Sequence, residues 1–208
     1  MSQAVRKSYH HGSLREDLIE ASIRLIESEG IGAVSLRRVA REAGVSSGAP
    51  YHHFDDRSSL LAAIATRGQE ILTTRLATVA AESDKPATSL ALFVETYVSF
   101  AVEHRGHIHV MLRPELFDAP QHPSVMNAGA DAIELLTATV VASQAAGTAP
   151  SGDPAPLVGM VWALAVGIVG LWIDGPLEKQ CVQMGTSPAE LTTSICQLLE
   201  SFLVSSSP

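Results

Sequence analysis

Residues 35–64 read SLRRVAREAGVSSGAPYHHFDDRSSLLAAI. Ser35 is a residue type that caps helices, and the apolar residues that follow it recur at helical spacing on one side. Gly44 permits a sharp turn, Ser46 can cap a third helix, and Phe54 closes that helix. Two short helices joined by so tight a turn have the proportions of a helix-turn-helix, which predicts a DNA-binding unit here.

The second helix carries three arginines on the side opposite its apolar residues. Arg37 and Arg41 lie one turn apart, and Arg38 lies beside them. Guanidinium groups placed in this way can contact phosphates. The alternative is that they are solvated surface side chains, which any amphipathic helix carries.

The rest of the chain also predicts helices, because apolar residues recur at intervals of three and four. Ser13 and Glu16 form a capping box that starts a first helix, Gly30 ends it, and Asp56 can cap a long fourth helix that reaches about Glu82. Further helices are predicted at about 88–104, 107–117, 124–146, 155–173 and 188–204. The predicted fold is all-α, with about nine helices arranged as a short N-terminal unit and a larger bundle.

The net charge of −8 argues at first against nucleic acid as a partner, but the charges are unevenly placed. Residues 1–57 carry eight Lys and Arg against eight Asp and Glu, so this part is neutral. Residues 58–208 carry six against fourteen and hold the whole excess of negative charge. A neutral, locally basic unit on an acidic body can still present a positive face to phosphate.

The composition is that expected of a cytoplasmic protein. Cys181 and Cys196 form no disulfide framework, and the polar N-terminus lacks the apolar core of a signal peptide. The uncharged run at 157–173 is at the short limit for a membrane span. A buried interface helix is the preferred interpretation of this run, with a membrane anchor as the alternative, so no membrane partner is expected.

Residues 35–64 resemble the DNA-binding signature of TetR-type (tetracycline-repressor family) transcriptional regulators. The shared pattern is a hydroxyl-capped short helix, an Ala-x-x-Ala-Gly-Val-Ser turn, a tyrosine and then His-Phe, and a fourth helix that opens with a charged residue before Leu-Leu-x-Ala. The resemblance covers about residues 9–68. It implies an N-terminal three-helix helix-turn-helix DNA-binding domain over 1–56, followed by a larger helical effector-binding and dimerisation domain over 57–208.

The resemblance also implies which residues contact DNA. The first half of the third helix is expected to face base edges, while the tyrosine and histidine at its end and the arginine that opens the fourth helix contact phosphates. Polar residues before the first helix are expected to brace the DNA backbone. The implied DNA-binding residues are Lys7, Tyr9, His10, His11, Arg37, Arg38, Ser46, Ser47, Gly48, Ala49, Pro50, Tyr51, His53 and Arg57.

The implied base-reading surface is nearly featureless, because Ser47, Gly48, Ala49 and Pro50 include no side chain that makes bidentate hydrogen bonds to a base. Direct readout would then use apolar contact of Ala49 and Pro50 with thymine methyl groups, or serine hydroxyls. DNA shape is a second source of specificity.

A row of small residues predicts a close helix–helix contact in the C-terminal part. Gly159, Ala163 and Gly167 recur every four residues on one face of the predicted helix 155–173. A homodimer interface is the preferred interpretation, because TetR-type regulators pair through their last two long helices, and a close intramolecular pair is the alternative. The complementary residues expected on the last helix are Leu191, Ile195, Leu198, Leu199 and Phe202.

A small-molecule effector of unknown identity would need a cavity in the helical body. Its predicted lining is mostly apolar, as binding cavities usually are. The candidates are Phe93, Tyr97, Phe100, His104, His107, Met111, Met126, Trp162 and Val166. Phe117 is a further apolar candidate, and Arg113 and Glu134 are further polar ones. For each of them, a place in the ordinary core is the alternative.

The segment EHRGHIH at 103–109 raises the question of a metal site. His104 and His107 would share a helix face, but His109 would lie far from both, and no further ligand is placed by the sequence. Histidines with ordinary hydrogen bonds are therefore expected, without a metal or another cofactor.

The predicted function is that of a homodimeric repressor, released from a palindromic DNA operator by a small-molecule effector. The alternatives are an all-α enzyme and a helical interaction module without DNA specificity. The sequence offers no nucleophile–base–acid set, no phosphate-binding glycine loop and no metal-binding motif, so enzymatic activity is not expected.

Overall fold

A computed structural model describes residues 14–82 and 86–205, and over those ranges the chain forms helices and no strands. The α-helices are α1 (Leu14–Glu29), α2 (Leu36–Glu42), α3 (Arg57–Glu82), α4 (Pro86–Glu103), α5 (Arg105–Met111), α6 (Pro123–Ala145), α7 (Ala155–Ile173), α8 (Leu177–Met184) and α9 (Pro188–Ser205). Short 3₁₀ helices lie at Ile31–Ala33, Ala49–His52, Pro114–Leu116 and Ala119–Gln121. The all-α prediction is therefore confirmed. Ser13 of the predicted capping box lies outside the described residues.

Local hydrogen bonds define the ends of α2, as the sequence predicts. The Ser35 hydroxyl oxygen accepts the Arg38 N–H at 3.3 Å and caps the N-terminus. At the other end, the Val45 N–H donates to the Ala40 carbonyl at 2.9 Å and the Gly44 N–H donates to the Arg41 carbonyl at 3.2 Å. This pair of bonds is a Schellman motif, which needs a left-handed residue that Gly44 supplies with φ +71°.

The third helix of the unit differs from the prediction. Residues 46–48 form a turn, and the helix that follows is a single 3₁₀ segment, Ala49–His52. The Ser46 hydroxyl does not cap it; Gly48 stands at its start without a side-chain hydrogen bond. Glycine is a poor helix former, and Pro50 disfavours the α conformation at the residue before it, so a regular α-helix is not stabilised here.

The long helix α3 passes from the helix-turn-helix into the body. Asp56 caps it as predicted, since its Oδ1 accepts the Ser59 N–H at 2.8 Å. Leu60, Leu61 and Ile64 near its start are fully buried in one apolar core that continues from α1 to α9. The apolar core therefore continues across the predicted domain boundary at residue 56.

Helix α4 lies at the centre of the body. It packs against α3, α6, α7 and α9, and Phe100 and Leu136 are among the largest fully buried side chains around it. The short helix α5 packs between α3 and α1, where the Gly106 N–H donates to a carboxylate oxygen of Glu27 at 3.2 Å. Ion pairs from Arg67 of α3 to two glutamates of α1 hold the same side.

Two further predicted helices differ in extent or existence. The helix predicted at 107–117 begins earlier and ends at Met111, because Pro114 cannot continue it. Helix α8 was not predicted, although Leu177 and Cys181 are buried at a spacing of four and Gly185 ends the helix with φ +71°. The nine α-helices of the described ranges thus include α8 and exclude the expected third helix.

Candidate functional site

The helix-turn-helix presents a polar outer surface. Arg37 of α2, Ser47 and Gly48 of the turn, and Tyr51 and His53 of the 3₁₀ segment are exposed. Phe54, which follows them, is buried and anchors the segment to the core. These five predicted DNA-contact residues are thus accessible, while Phe54, which has a predicted packing role, is not.

Ala49 and Pro50, both predicted to contact bases, differ in their exposure to solvent. Ala49 is half-buried, so part of its methyl group remains accessible. Pro50 is buried, and its carbonyl accepts the N–H groups of His53 and Phe54 at 2.9 Å. The prediction that the Pro50 ring lies against a base is therefore wrong for this conformation. The ring packs inward, while Tyr51 and His52 are exposed, because successive residues of a 3₁₀ helix project about 120° apart.

Two of the predicted phosphate-binding arginines already have partners within the chain. The Arg38 guanidinium is paired with the Glu29 carboxylate at the end of α1. Arg57 donates from Nε to the Val34 carbonyl and from Nη2 to the Ile31 carbonyl, both at 2.9 Å. It therefore fastens the start of α3 to the connection between α1 and α2. The sequence does not show these pairs, because the partners of Arg57 lie more than twenty residues away.

The other predicted DNA contacts are four residues that precede α1 and Ser46 of the turn. Lys7, Tyr9, His10 and His11 lie outside the described residues. Ser46 is exposed in the turn. His53 also borders a polar cavity of about 520 Å³ between α1, α3 and the start of α6.

A larger, mostly apolar cavity of about 920 Å³ opens between α4, α6 and the end of α5. Seven of the residues predicted to line an effector cavity border it. They are Phe93, Tyr97, Met111, Phe117, Met126, Glu134 and Trp162. The volume is at the upper end of the range for sites that hold drug-sized ligands.

Other predicted lining residues lie elsewhere. Phe100 is fully buried in the core, and His104 stacks on it with ring centroids 4.7 Å apart. His107 of α5 is buried against Gly68 of α3, Val166 is half-buried in α7, and Arg113 is paired with Asp174 at 3.0 Å. These five residues do not border the cavity, so their prediction as lining is wrong.

Most of the lining missed by the sequence comes from one face of α6. Ala130, Ile133, Thr137, Ala138 and Val141 border the cavity beside the predicted Met126 and Glu134. These residues recur at helical spacing, which is the signal that could have identified them. Gln69 of α3 completes the floor.

Burial changes the acid–base behaviour of two groups near the cavity. It raises the pKa of Tyr97 to about 12, so its hydroxyl is neutral at physiological pH and can donate or accept a hydrogen bond. Burial also lowers the pKa of His107 to about 4, with a smaller contribution from the nearby His104. Neither ring nitrogen of His107 has a hydrogen-bond partner. His107 is therefore neutral and packs as an apolar group.

The three histidines of residues 103–109 have different neighbours. The rings of His104 and His107 meet edge to face with centroids 5.6 Å apart, while His109 approaches Asp174 at 3.4 Å. Over the residues that the structure describes, no three His, Cys, Asp or Glu side chains come together as a metal site would require.

Helices α7 and α9 leave an apolar face uncovered. Leu198 and Phe202 of α9 are 70% and 55% exposed, and the predicted small-residue row of α7 is exposed as well. A Cβ added to Gly159 or Gly167 would meet no atom within 4 Å, so no other helix of the described chain covers this row. The alternative of a close intramolecular pair is therefore not observed.

Not all predicted interface residues lie on this face. Leu199 is 7% exposed and faces the core, so its prediction as an interface residue is wrong. Leu191 and Ile195 are half-buried at the margin. Helix α9 turns Cys196, Leu199 and Leu203 toward α4. Leu198 is exposed instead, because it lies about 100° around the helix from Leu199.

Two helices are long and apolar enough to cross a membrane by length and composition, Pro123–Ala145 and Ala155–Ile173. Such helices also occur in soluble proteins, where one face packs on a core. Val161, Ala165, Ile168 and Val169 of α7 are buried in this way.

Comparison with known families identifies both parts of the chain. The family model described as "Bacterial regulatory proteins, tetR family" matches residues 18–64. A second model, described as "Tetracyclin repressor-like, C-terminal domain", matches residues 90–198, which is more than half of the chain. The first match contains the helix-turn-helix, and the second contains most of α4, all of α5 to α8 and the first eleven residues of α9.

Individual relatives agree with these matches. The HTH-type transcriptional regulator PksA of Bacillus subtilis is 36% identical over 74 residues, which are 36% of this chain and 36% of PksA. The first curated relatives are matched over a quarter to a half of their own length.

Solved structures are similar over nearly the whole chain. A Rhodococcus sp. RHA1 protein of unknown function is 33% identical with a TM-score of 0.80, over 96% of this chain and 100% of that one. The transcriptional regulator FadR of Bacillus subtilis, solved in complex with stearoyl-CoA, has a TM-score of 0.72 at 17% identity, over 89% and 97% of the two chains. At that identity the similarity shows a common fold.

Proposed function

Because the chain belongs to the TetR family of transcriptional regulators, we propose that it is a homodimeric repressor that a small-molecule effector releases from a palindromic operator. The observation that carries this proposal is the exposed surface of the helix-turn-helix. Its turn is fixed by the Schellman motif at Gly44, and Arg37, Tyr51 and His53 remain accessible around it. Exposed donors around such a turn suit the phosphates that flank a major groove.

DNA specificity in this proposal comes from a small surface. Ser47, Gly48 and the accessible part of Ala49 would lie against base edges, and shape readout would add to their contribution. Tyr51, His53 and Arg37 would contact phosphates. Arg38 and Arg57 would contribute phosphate contacts after exchanging their present partners.

The proposed homodimer forms through the exposed face of α7 and α9. Exposed Gly159, Ala163 and Gly167 let a second helix approach closely, and Leu198 and Phe202 supply apolar area. A two-fold axis through this face would pair two helix-turn-helix units on related half-sites. Residues 1–56 would then form the DNA-binding part and residues 57–208 the effector-binding and dimerisation part.

The effector is proposed to bind in the 920 Å³ cavity. The complex of Bacillus subtilis FadR with stearoyl-CoA supports this part, since a protein of the same fold holds an apolar chain. For nearly complete release from DNA, the effector must bind the conformation without DNA about 10⁴-fold more tightly than the DNA-bound one. A cytoplasmic location without membrane contact fits access to both ligands.

Selection of duplexes from a random pool, together with the mass of the protein in solution, tests the proposal. We expect a dimer and a palindromic consensus. A monomer that binds all duplexes equally would overturn it and would favour a helical interaction module without DNA specificity.

Variants of the helix-turn-helix separate the two kinds of DNA contact. Arg37→Ala should weaken binding to all duplexes alike and reduce the log–log salt slope by about one, since one phosphate contact is lost. Ala49→Val should change which duplex is preferred. If both variants produce the same uniform loss, Ala49 is not a base-reading residue.

A further inference from the structure

The lining of the 920 Å³ cavity is unbalanced in charge. Among the described residues that border it, Glu134 is the one acidic side chain, and no Lys or Arg is present. Glu134 is itself exposed to solvent. A bound group near it therefore meets a negative charge without a neighbouring positive one.

The nearest arginine in sequence does not compensate this charge. Arg113 immediately precedes the lining residue Pro114, but its Nη2 lies 3.0 Å from the Asp174 carboxylate and it does not border the cavity. Arg75 of α3 is paired in the same way with Glu103 at 2.9 Å. Both guanidinium groups are thus committed to carboxylates of this chain, and an anionic ligand would have to compete for them.

The surfaces on both sides of Glu134 are apolar. Met126 lies about 12 Å before it along α6, and Val141 lies about 10 Å after it, from the helical rise of 1.5 Å per residue. Both side chains are about half exposed, at 58% and 49%. Trp162 of α7 borders the same cavity and is 51% exposed. The negative charge therefore lies in the middle of an apolar, aromatic surface.

We propose that the effector of this protein is a hydrophobic cation, such as a quaternary ammonium compound with an apolar substituent. The Glu134 carboxylate would attract the positive charge, the aromatic lining residues Phe93, Tyr97 and Trp162 would supply cation–π contact, and the apolar substituent would lie along α6. Carboxylates and sulfates are disfavoured, because their charge would be repelled by Glu134 and no Lys or Arg among the described lining residues would offset it. This inference rests on the proposed function for the role of the cavity.

Binding of three ligands with the same eight-carbon chain tests the chemistry. In a Trp172→Phe variant of the full-length protein, the fluorescence of Trp162 reports occupancy of the cavity. We expect octyltrimethylammonium to bind more tightly than octanol, and octanol more tightly than octanoate. Octanoate or octanol binding as tightly as the cation would overturn the proposal.

Glu134→Gln then isolates the carboxylate while keeping its size. The affinity for octyltrimethylammonium should fall about threefold to tenfold, a modest loss because Glu134 is exposed and screened, and the affinity for octanol should not change. Glu178→Gln on α8 is the control, since it removes the same charge from an exposed position that does not border the cavity. An equal loss in both variants would overturn the role of Glu134, because it would report net charge alone.

Operator binding measured in the same samples separates this inference from the proposed function. A protein that binds its palindromic operator but prefers octanoate would overturn the cation and leave the repressor standing. A protein that binds the cation through Glu134 but has no operator would support the site and overturn the repressor.

Discussion

A methyl group added at Gly68 should destabilise the contact between α3 and α5. A Cβ built at Gly68 would lie 2.5 Å from Met111 Sδ, 3.0 Å from His107 Cβ and 3.3 Å from His107 Cδ2. Real Cβ atoms do not approach other atoms so closely, so α5 must move or Met111 must change rotamer. Gly68→Ala is the substitution that forces this choice.

The magnitude follows from two opposing contributions to the free energy of unfolding. Replacing glycine by alanine inside a helix stabilises by about 1 kcal/mol, while overpacking a dense core costs about 1–3 kcal/mol. Gly68→Ala should therefore have a net effect between nearly zero and a loss of about 2 kcal/mol. Gly129→Ala in α6 is the matched control, because its added Cβ meets only Gln69 Nε2 at 3.9 Å. It should stabilise by about 1 kcal/mol.

Urea unfolding followed by circular dichroism measures the difference, with all variants at one protein concentration because dimers gain stability with concentration. We expect Gly68→Ala to be about 1–3 kcal/mol less stable than Gly129→Ala. Met111→Ala removes the closest atom, so Gly68→Ala should cost less in that background. If Gly68→Ala stabilises the protein as much as Gly129→Ala does, the packing of α5 on α3 is looser than described.

Three further predictions concern a helix cap, a buried histidine and the dimer face. Ser35→Ala should lower the free energy of unfolding by about 1 kcal/mol in urea titrations, because the cap to the Arg38 N–H is lost, whereas Ser28→Ala, on the exposed surface of α1, should have almost no effect. The pKa of His107 is lowered from 6.5 to about 4, so above pH 6.5 neither folded nor unfolded chain is protonated there, and as the pH falls toward 4 the unfolded chain alone gains the proton. Stability should therefore drop by about 3 kcal/mol over that window, and His107→Leu should reduce this drop in pH-dependent urea titrations; an unchanged drop would contradict the burial of the ring. Phe202→Glu, at a 55% exposed position of α9, should dissociate the proposed dimer in gel filtration, while Ser201→Glu on the same helix and outside the predicted interface should disturb it less.

The parts of the fold that depend on neighbouring residues could be predicted from the sequence. The cap at Ser35, the turn at Gly44 and the cap at Asp56 each involve residues within five positions of one another, so the residue types are sufficient. The third helix is shorter than the predicted span from Ser46 to Phe54 and is 3₁₀ rather than α, because Gly48 and Pro50 disfavour the regular helix that this spacing allows. In this segment the local preference of two residues outweighed the pattern.

The candidate site could be predicted only where large apolar residues mark it. Phe93, Tyr97 and Trp162 border the cavity as expected, but the neighbouring face of α6 is built largely from small residues that give no strong signal. Partners distant in the chain were also invisible, as with the carbonyls that accept from Arg57. Leu199 is predicted on the interface side of α9 but faces the core. Successive side chains of a helix point about 100° apart, so an error of one residue in the pattern is enough to place a side chain on the wrong face.

Helix α3 connects Arg57, which holds the connection between α1 and α2, to Gln69, which lies on the cavity floor twelve residues later. At 1.5 Å per residue this lever is about 18 Å long, so a tilt of about 5° at Gln69 displaces Arg57 by about 1.6 Å. In a two-fold dimer, opposite tilts would change the separation of the two units by about 3 Å, against a groove repeat of about 34 Å. In the proposed repressor, a small change in cavity width would thus be converted into a mismatch with the pitch of DNA.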